Sequence, residues 1–168
     1  SHSLNGSSTW ITSKKSRDDV QSLRANYDAI VTGGNTVRDD NPRMNARVSY
    51  DVNQPRRIVI TREKNWDMKM NFFRDNNFEI VNSCQLDEFI KSFQDRDTCS
   101  LLIEAGPKLV NSFLDAGLCD QFVIYKSNRD LGQNSVPWFE NKNALIKKGF
   151  KLKARSYIES DVKEVYTI

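Results

Sequence analysis

The chain has 168 residues, 28% of them charged, and a net charge of +3. That length suits one domain able to bury its own core, and so small a basic excess, with no dense Lys/Arg run, argues against a nucleic-acid partner. Three widely spaced cysteines (Cys84, Cys99, Cys119), no CxxC and a single histidine, His2, argue against a zinc site, a disulfide framework and any Ser-His-Asp or Cys-His mechanism.

No apolar run approaches membrane-spanning length and no signal peptide opens the sequence, so the expectation is a cytoplasmic protein with reduced thiols. Chemistry is left to carboxylates, to Lys/Arg or to a cofactor.

Taken in order, the chain begins with a polar stretch in which Asn5-Gly6 marks a tight turn. Thr12 or Ser13 can cap a helix over residues 14–26, with Val20, Leu23 and Tyr27 turned inward. Asp28–Thr32 (DAIVT) reads as a strand, followed by Gly33-Gly34 and a helical turn over Asn35–Asp39. The two glycines permit positive φ and close backbone approach. Asn41-Pro42 breaks the helix, and a polar loop carries Arg43, Met44 and Arg47 toward Gln54-Pro55.

Arg57–Thr61 is a β-branched strand ending at Arg62, and Phe78–Asn82 is another. Leu86, Phe89, Ile90 and Phe93 recur at helical spacing. Leu101–Ile103 is a short strand, Glu104 ends it, and Ala105-Gly106 turn the chain into a helix with Pro107 at its first position. Gly117 closes that helix. Gln121–Lys126 is a strand, Ser127–Phe139 is irregular, and strands over 150–159 and 162–168 form an antiparallel hairpin about Ser160-Asp161.

Strands alternating with helices predict an α/β fold with a mixed, mostly parallel sheet flanked by helices, the C-terminal hairpin adding antiparallel edge strands. Two strand–glycine–helix units aim backbone N–H groups at the C-terminal edge of such a sheet, where anions bind. Arg24, Arg47, Arg62 and Glu104 fall near that edge. Taken singly, each arginine reads better as a solvated surface charge and each glycine turn equally as an ordinary connection; together they point to a phosphorylated ligand such as a dinucleotide. Arg62, at a strand end, suits an adenosine 2′-phosphate and so NADPH over NADH. No GxGxxG follows a strand, which argues against a Rossmann domain.

The segments Gly6–Met44 (GSSTWITSKKSRDDVQSLRANYDAIVTGGNTVRDDNPRM) and Leu102–Tyr125 (LIEAGPKLVNSFLDAGLCDQFVIY) resemble the reductase domain of the bacterial riboflavin-biosynthesis deaminase/reductase. The likeness runs along nearly the whole chain, through QPRRIVIT and the terminal ESDVKEVYTI; the EAG turn is shared with the wider dihydrofolate-reductase-like superfamily. The resemblance implies a single reductase domain over residues 1–168, without the deaminase half. It also implies NADPH-dependent reduction of 5-amino-6-(5-phosphoribosylamino)uracil by hydride delivery to ribose C1′, and a homodimer. By that resemblance the substrate-binding residues are Ser8, Arg24, Met44, Arg47 and Glu104. The cofactor-binding residues are Trp10, Thr36, Asp40 and the run Gly106, Pro107, Lys108, Leu109, Val110, Asn111 and Ser112. Arg62 joins them by the strand-end argument, because the family more often has a small polar residue there. No general acid and no metal ligand is assigned. The sequence departs from the family where Ser3-Leu4 runs straight into Asn5-Gly6 in place of an S-L-D-G-[KR] segment. Two alternatives stand beside this reading: a related reductase with another substrate, and a non-catalytic binding domain that keeps the fold.

Overall fold

A computed structural model describes residues 2–4, 7–82, 85–93, 96–128 and 143–168, with side chains from residue 10 onward. In chain order its elements are β1 (His2–Leu4), β2 (Ser7–Thr9), α1 (Lys14–Ala25), β3 (Ala29–Gly33), α2 (Gly34–Asp40), β4 (Arg56–Thr61), a 3-10 turn (Asn71–Phe73), β5 (Phe78–Asn82), α3 (Leu86–Lys91), β6 (Leu101–Ile103), α4 (Pro107–Asp115), β7 (Gln121–Lys126), α5 (Ala144–Lys147), β8 (Lys151–Ile158) and β9 (Asp161–Thr167). The predicted turn at Asn5-Gly6, Cys84 and most of the irregular Ser127–Phe139 stretch lie outside the described residues. No described helix is long and apolar enough to cross a membrane.

The chain divides into two compact units, one of Ser1–Asp19 with Gly117–Ile168 and one of Val20–Ala116. The second unit holds a four-stranded, all-parallel sheet in the order β5-β4-β3-β6. Side chains alternate across it. One face presents Ile30, Val59, Phe78 and Leu102, which pack with Val37 of α2, Met44, Phe72 and Phe73. The opposite face presents Ala29, Val31 and Ile58, all fully buried. On that side Leu109 of α4 lies 3.7 Å from where a Cβ on Gly33 would stand. Phe89 of α3 meets Phe93, just beyond the helix, edge-on at 5.0 Å, and meets Phe113 of α4 at 6.3 Å.

The first unit holds two antiparallel groups. β1 pairs with β2, and β9 lies between β7 and β8. Here the structure corrects the sequence reading: the C-terminal hairpin does not add edge strands to the parallel sheet but forms a separate three-stranded sheet with β7. Its turn is Glu159-Ser160, with Glu159 at φ 54°. Asp161 belongs to β9 and is 1% exposed.

A second correction concerns α1. Its buried residues are Ser16, Gln21 and Arg24, while Val20, Leu23 and the following Tyr27 are only half-buried. A polar stripe is buried because each member finds a partner there, and burial without one is costly. Ser13 is the cap, its Oγ accepting the Ser16 backbone N–H at 3.2 Å. From β9, Asp161 accepts both the Ser13 N–H at 2.7 Å and the Ser16 hydroxyl at 2.6 Å. Further along, Asp19 accepts from Tyr125 at 2.5 Å and from Lys163 at 2.6 Å.

Candidate active site

All four strands of the parallel sheet end on one edge, so Gly33-Gly34, Thr61-Arg62 and Glu104-Ala105-Gly106 stand side by side there. β3 continues into α2 on one face of the sheet, and its neighbour β6 continues into α4 on the other. Adjacent strands whose connections leave to opposite faces open a crevice between them, the place where open α/β sheets bind ligands.

The two glycine turns serve this edge differently. Gly33 has φ −99° and Gly34 lies at the start of α2, so positive φ is not what either requires, contrary to the sequence reading. Gly34 is needed for space: an added Cβ would fall 2.5 Å from Thr61 Oγ1 and 3.0 Å from Thr61 Cβ. Gly106 is the N-cap of α4 with extended backbone, and a Cβ there would meet nothing within 4 Å. Pro107 follows at the helix start, and among the described residues no side chain caps the first turn. Its free N–H groups and the positive end of the dipole therefore face outward.

Glu104 extends the β6 ladder by one bond, its N–H donating to the Val31 carbonyl at 2.9 Å. Its carboxylate is clamped by Arg24 of α1 in a two-point pair, Nε to Oε2 at 2.8 Å and Nη2 to Oε1 at 2.5 Å. The Arg24 side chain is 10% exposed and that of Glu104 35%. Arg24 also donates from Nη1 to the Asn45 carbonyl at 3.2 Å. Arg47 is more exposed, with Nη1 on Asn45 Oδ1 at 2.9 Å. Loss of solvent, together with the charges of Arg24 and Arg43, lowers the Arg47 pKa below its ordinary value; Glu104 acts in the opposite direction. Arg24 pairs with Glu104 while Arg43 and Arg47 add further positive charge nearby, an arrangement with cationic capacity left for an anion.

The structure thus brings together Arg24, Arg47 and Glu104, and sets Arg43 and Asn45 beside them. Met44 is 2% exposed, its side chain in the core cluster under this loop and its backbone at φ 48°. Thr36 is half-buried on α2 and Asp40 is exposed at its end. Within Gly106–Ser112, Lys108 and Ser112 are exposed, while Val110 is 4% exposed and packs inward. Arg62 is exposed directly after β4, with no ion pair among the described residues. Ser8 and Trp10 belong to the other unit. The Ser8 side chain lies outside the described residues, and Trp10 is 56% exposed with the Arg17 guanidinium 4.6 Å over its ring. Sequence reasoning missed Gln21 and Gln54, whose side chains hold the loop that carries Arg47. The one signal was Gln21 standing three residues before Arg24, the spacing that puts both on one helical face.

Residues 2–162 match the family model described as the RibD C-terminal domain, and the chain belongs to that family. It is similar to the riboflavin biosynthesis protein RibD of Aquifex aeolicus, 28% identical over 153 residues, covering 77% of this chain and 43% of that protein. It is also similar to the 5-amino-6-(5-phosphoribosylamino)uracil reductase of Buchnera aphidicola, 27% identical over 168 residues, covering 79% of this chain and 81% of that protein. Among solved structures, RibD of Acinetobacter baumannii superposes with a TM-score of 0.85 at 25% identity, over 98% of this chain and 53% of that one. The chain spans about half the length of the curated RibD proteins it matches.

Proposed function

We propose that this chain is the reductase of riboflavin biosynthesis that converts the ribosyl group of 5-amino-6-(5-phosphoribosylamino)uracil to a ribityl chain, using NADPH. Its family and the activity named for its Buchnera relative support the reading. The observation that carries it is the Arg24–Glu104 clamp with Arg47 beside it, at the crevice between β3 and β6. Residues 1–168 are read as one reductase domain.

In this reading the substrate phosphate meets Arg47, with Arg24 behind it. A fixed guanidinium plane recognises phosphate oxygens where a lysine would offer only a point charge. Glu104, with both oxygens turned to Arg24, keeps lone pairs for a ribose or base donor. By the resemblance Ser8 is read as a substrate-binding residue as well, and Met44 supports the loop from the core. The first turn of α4 and Arg62, neither with a side-chain partner among the described residues, and the open space at Gly106 fit a dinucleotide phosphate chain with a 2′-phosphate. Trp10, Thr36, Asp40, Arg62 and Gly106–Ser112 would hold NADPH. When bound, NADPH would supply the hydride that C1′ gains as the ring C1′–O4′ bond opens and O4′ takes up a proton. The protein's own part is alignment and exclusion of water, which is where most of such a barrier is met. A homodimer in the cytoplasm is part of the same reading.

The test is NADPH consumption by the purified chain with the phosphoribosylaminouracil, the ribityl product being identified by mass. Turnover with this substrate and none with dihydrofolate supports the assignment. A chain that binds neither NADPH nor NADH overturns it.

A further inference from the structure

The segment Asn41–Arg47 is neither helix nor strand, yet it carries the Asn45 carbonyl that accepts from Arg24 and the Arg47 guanidinium beside it. Asn41 (φ 42°) holds left-handed backbone as the C-cap of α2, where asparagine is ordinary, but Met44 (φ 48°) holds a conformation that a residue of its kind keeps only under outside constraint. The constraints are visible. Asn71 donates to Asn41 Oδ1 at 2.7 Å and to the Asn41 carbonyl at 3.0 Å. The buried Arg57 donates to the Arg43 carbonyl at 3.4 Å.

The two peptides on either side of Ala46 are held most completely. In the Asn45–Ala46 peptide the carbonyl accepts from Arg24 and the N–H donates to Gln54 Oε1 at 3.0 Å. In the Ala46–Arg47 peptide the carbonyl accepts from Gln54 Nε2 at 2.9 Å and the N–H donates to Gln21 Oε1 at 3.2 Å. Each plane is tied at both ends, and one carboxamide closes both. A peptide plane tied at both ends cannot rotate, so the residues flanking it are aimed before any ligand arrives. Gln54 is exposed, and its carboxamide bonds to the Ala46 backbone at both atoms.

We propose that Gln54 is a positioning residue for the substrate site, its carboxamide locking both peptides of Ala46 and so aiming the Asn45 carbonyl and the Arg47 guanidinium. This rests on the reading of Arg24, Arg47 and Glu104 as the substrate group. The lock is preorganisation: without it the loop would have to be ordered at the moment of binding, which lowers affinity without removing any direct contact.

Gln54→Leu keeps the side chain's size and removes both polar atoms from an exposed position, leaving the core intact. Ribose 5-phosphate, NADPH and amide hydrogen exchange are the probes. The variant should bind ribose 5-phosphate about tenfold more weakly and NADPH within about twofold of the original chain, the loss expected from misaimed positioning groups. Exchange at the Ala46 and Arg47 amides should speed up, and KM for the phosphoribosylaminouracil should rise more than kcat falls. Gln54→Asn, one methylene short, should show the same pattern more weakly. Unchanged ribose 5-phosphate affinity, or a parallel loss of both ligands, overturns the positioning role. An unaltered chain that binds no ribose 5-phosphate overturns instead the reading on which it rests.

Discussion

Arg24 and Glu104 stand 80 residues apart in sequence and meet at 2.5 Å. Paired charges of this kind depend on the planar fork of arginine, so neither partner is exchangeable for a residue of the same charge. Gly34 obeys a different constraint, one of volume. Gly34→Ala should destabilise the chain by about 1–3 kcal/mol, as overpacking does. Thr61→Ala should recover part of that loss by removing the oxygen 2.5 Å from the new methyl. A double-mutant cycle in urea with no coupling between the two positions would show that the clash is relieved elsewhere. Arg62 makes its case through ligand preference. Arg62→Ala should weaken NADPH several-fold more than NADH, measured by calorimetry, and equal weakening would remove it from the 2′-phosphate.

At the scale of elements, α1 is held by polar partners where an amphipathic surface helix would use an apolar stripe. Its N-terminus is capped twice, by its own Ser13 and by Asp161 of β9. Asp161→Ala leaves the Ser13 N–H and the Ser16 hydroxyl without their acceptor and should cost roughly 2–3 kcal/mol, the range for lost charge-assisted bonds in a buried setting. Asp161→Asn, which keeps an acceptor oxygen, should cost less. Equal urea midpoints for the alanine variant and the original chain would show that the cap is not carrying load. The helix α4 shows the opposite economy: Pro107 starts it, Gly117 at φ 69° ends it, and its first turn is left open toward the crevice.

For the molecule as a whole, pH reports on its hydrogen-bonded carboxyls, Asp28 and Asp75 in the second unit and three in the first. Burial raises the pKa of Asp161, but hydrogen bonds from Ser16, Ser13 and Ser127 outweigh it and leave the value below the ordinary carboxyl range. Glu164, 2% exposed, is likewise lowered despite burial, by Lys126, Tyr166 and Arg155. Asp19 is lowered against burial by Lys163 and Tyr125. A carboxyl whose folded pKa lies below its unfolded value adds stability that is complete above the unfolded value and disappears as pH falls through the folded one. The melting temperature should therefore hold above about pH 5 and drop as pH falls below about 4, near the unfolded carboxyl values. Asp161→Ala should make that drop shallower; a melting temperature flat down to about pH 3 would contradict the linkage.

Much of this molecule was legible in its sequence, because the features concerned are local. β-branched runs became β4 and β5, Pro107 and Gly117 bounded α4, and Ser13 capped α1, each decided by backbone preference within a few residues. The resemblance in Gly6–Met44 and Leu102–Tyr125 likewise pointed to the family. Tertiary structure alone decided the rest. Whether β7 to β9 extend the parallel sheet or form their own depends on which distant strand offers hydrogen-bond partners. The buried face of α1 is polar because Asp161, Glu104 and the Arg47 backbone arrive from elsewhere to satisfy it. Gly34 is required by a threonine on the next strand, and Gln54 locks Ala46 from outside the site. Each of these is a pairing between groups far apart in the chain, and a pairing acquires its energy only when folding brings both members into a space that excludes water.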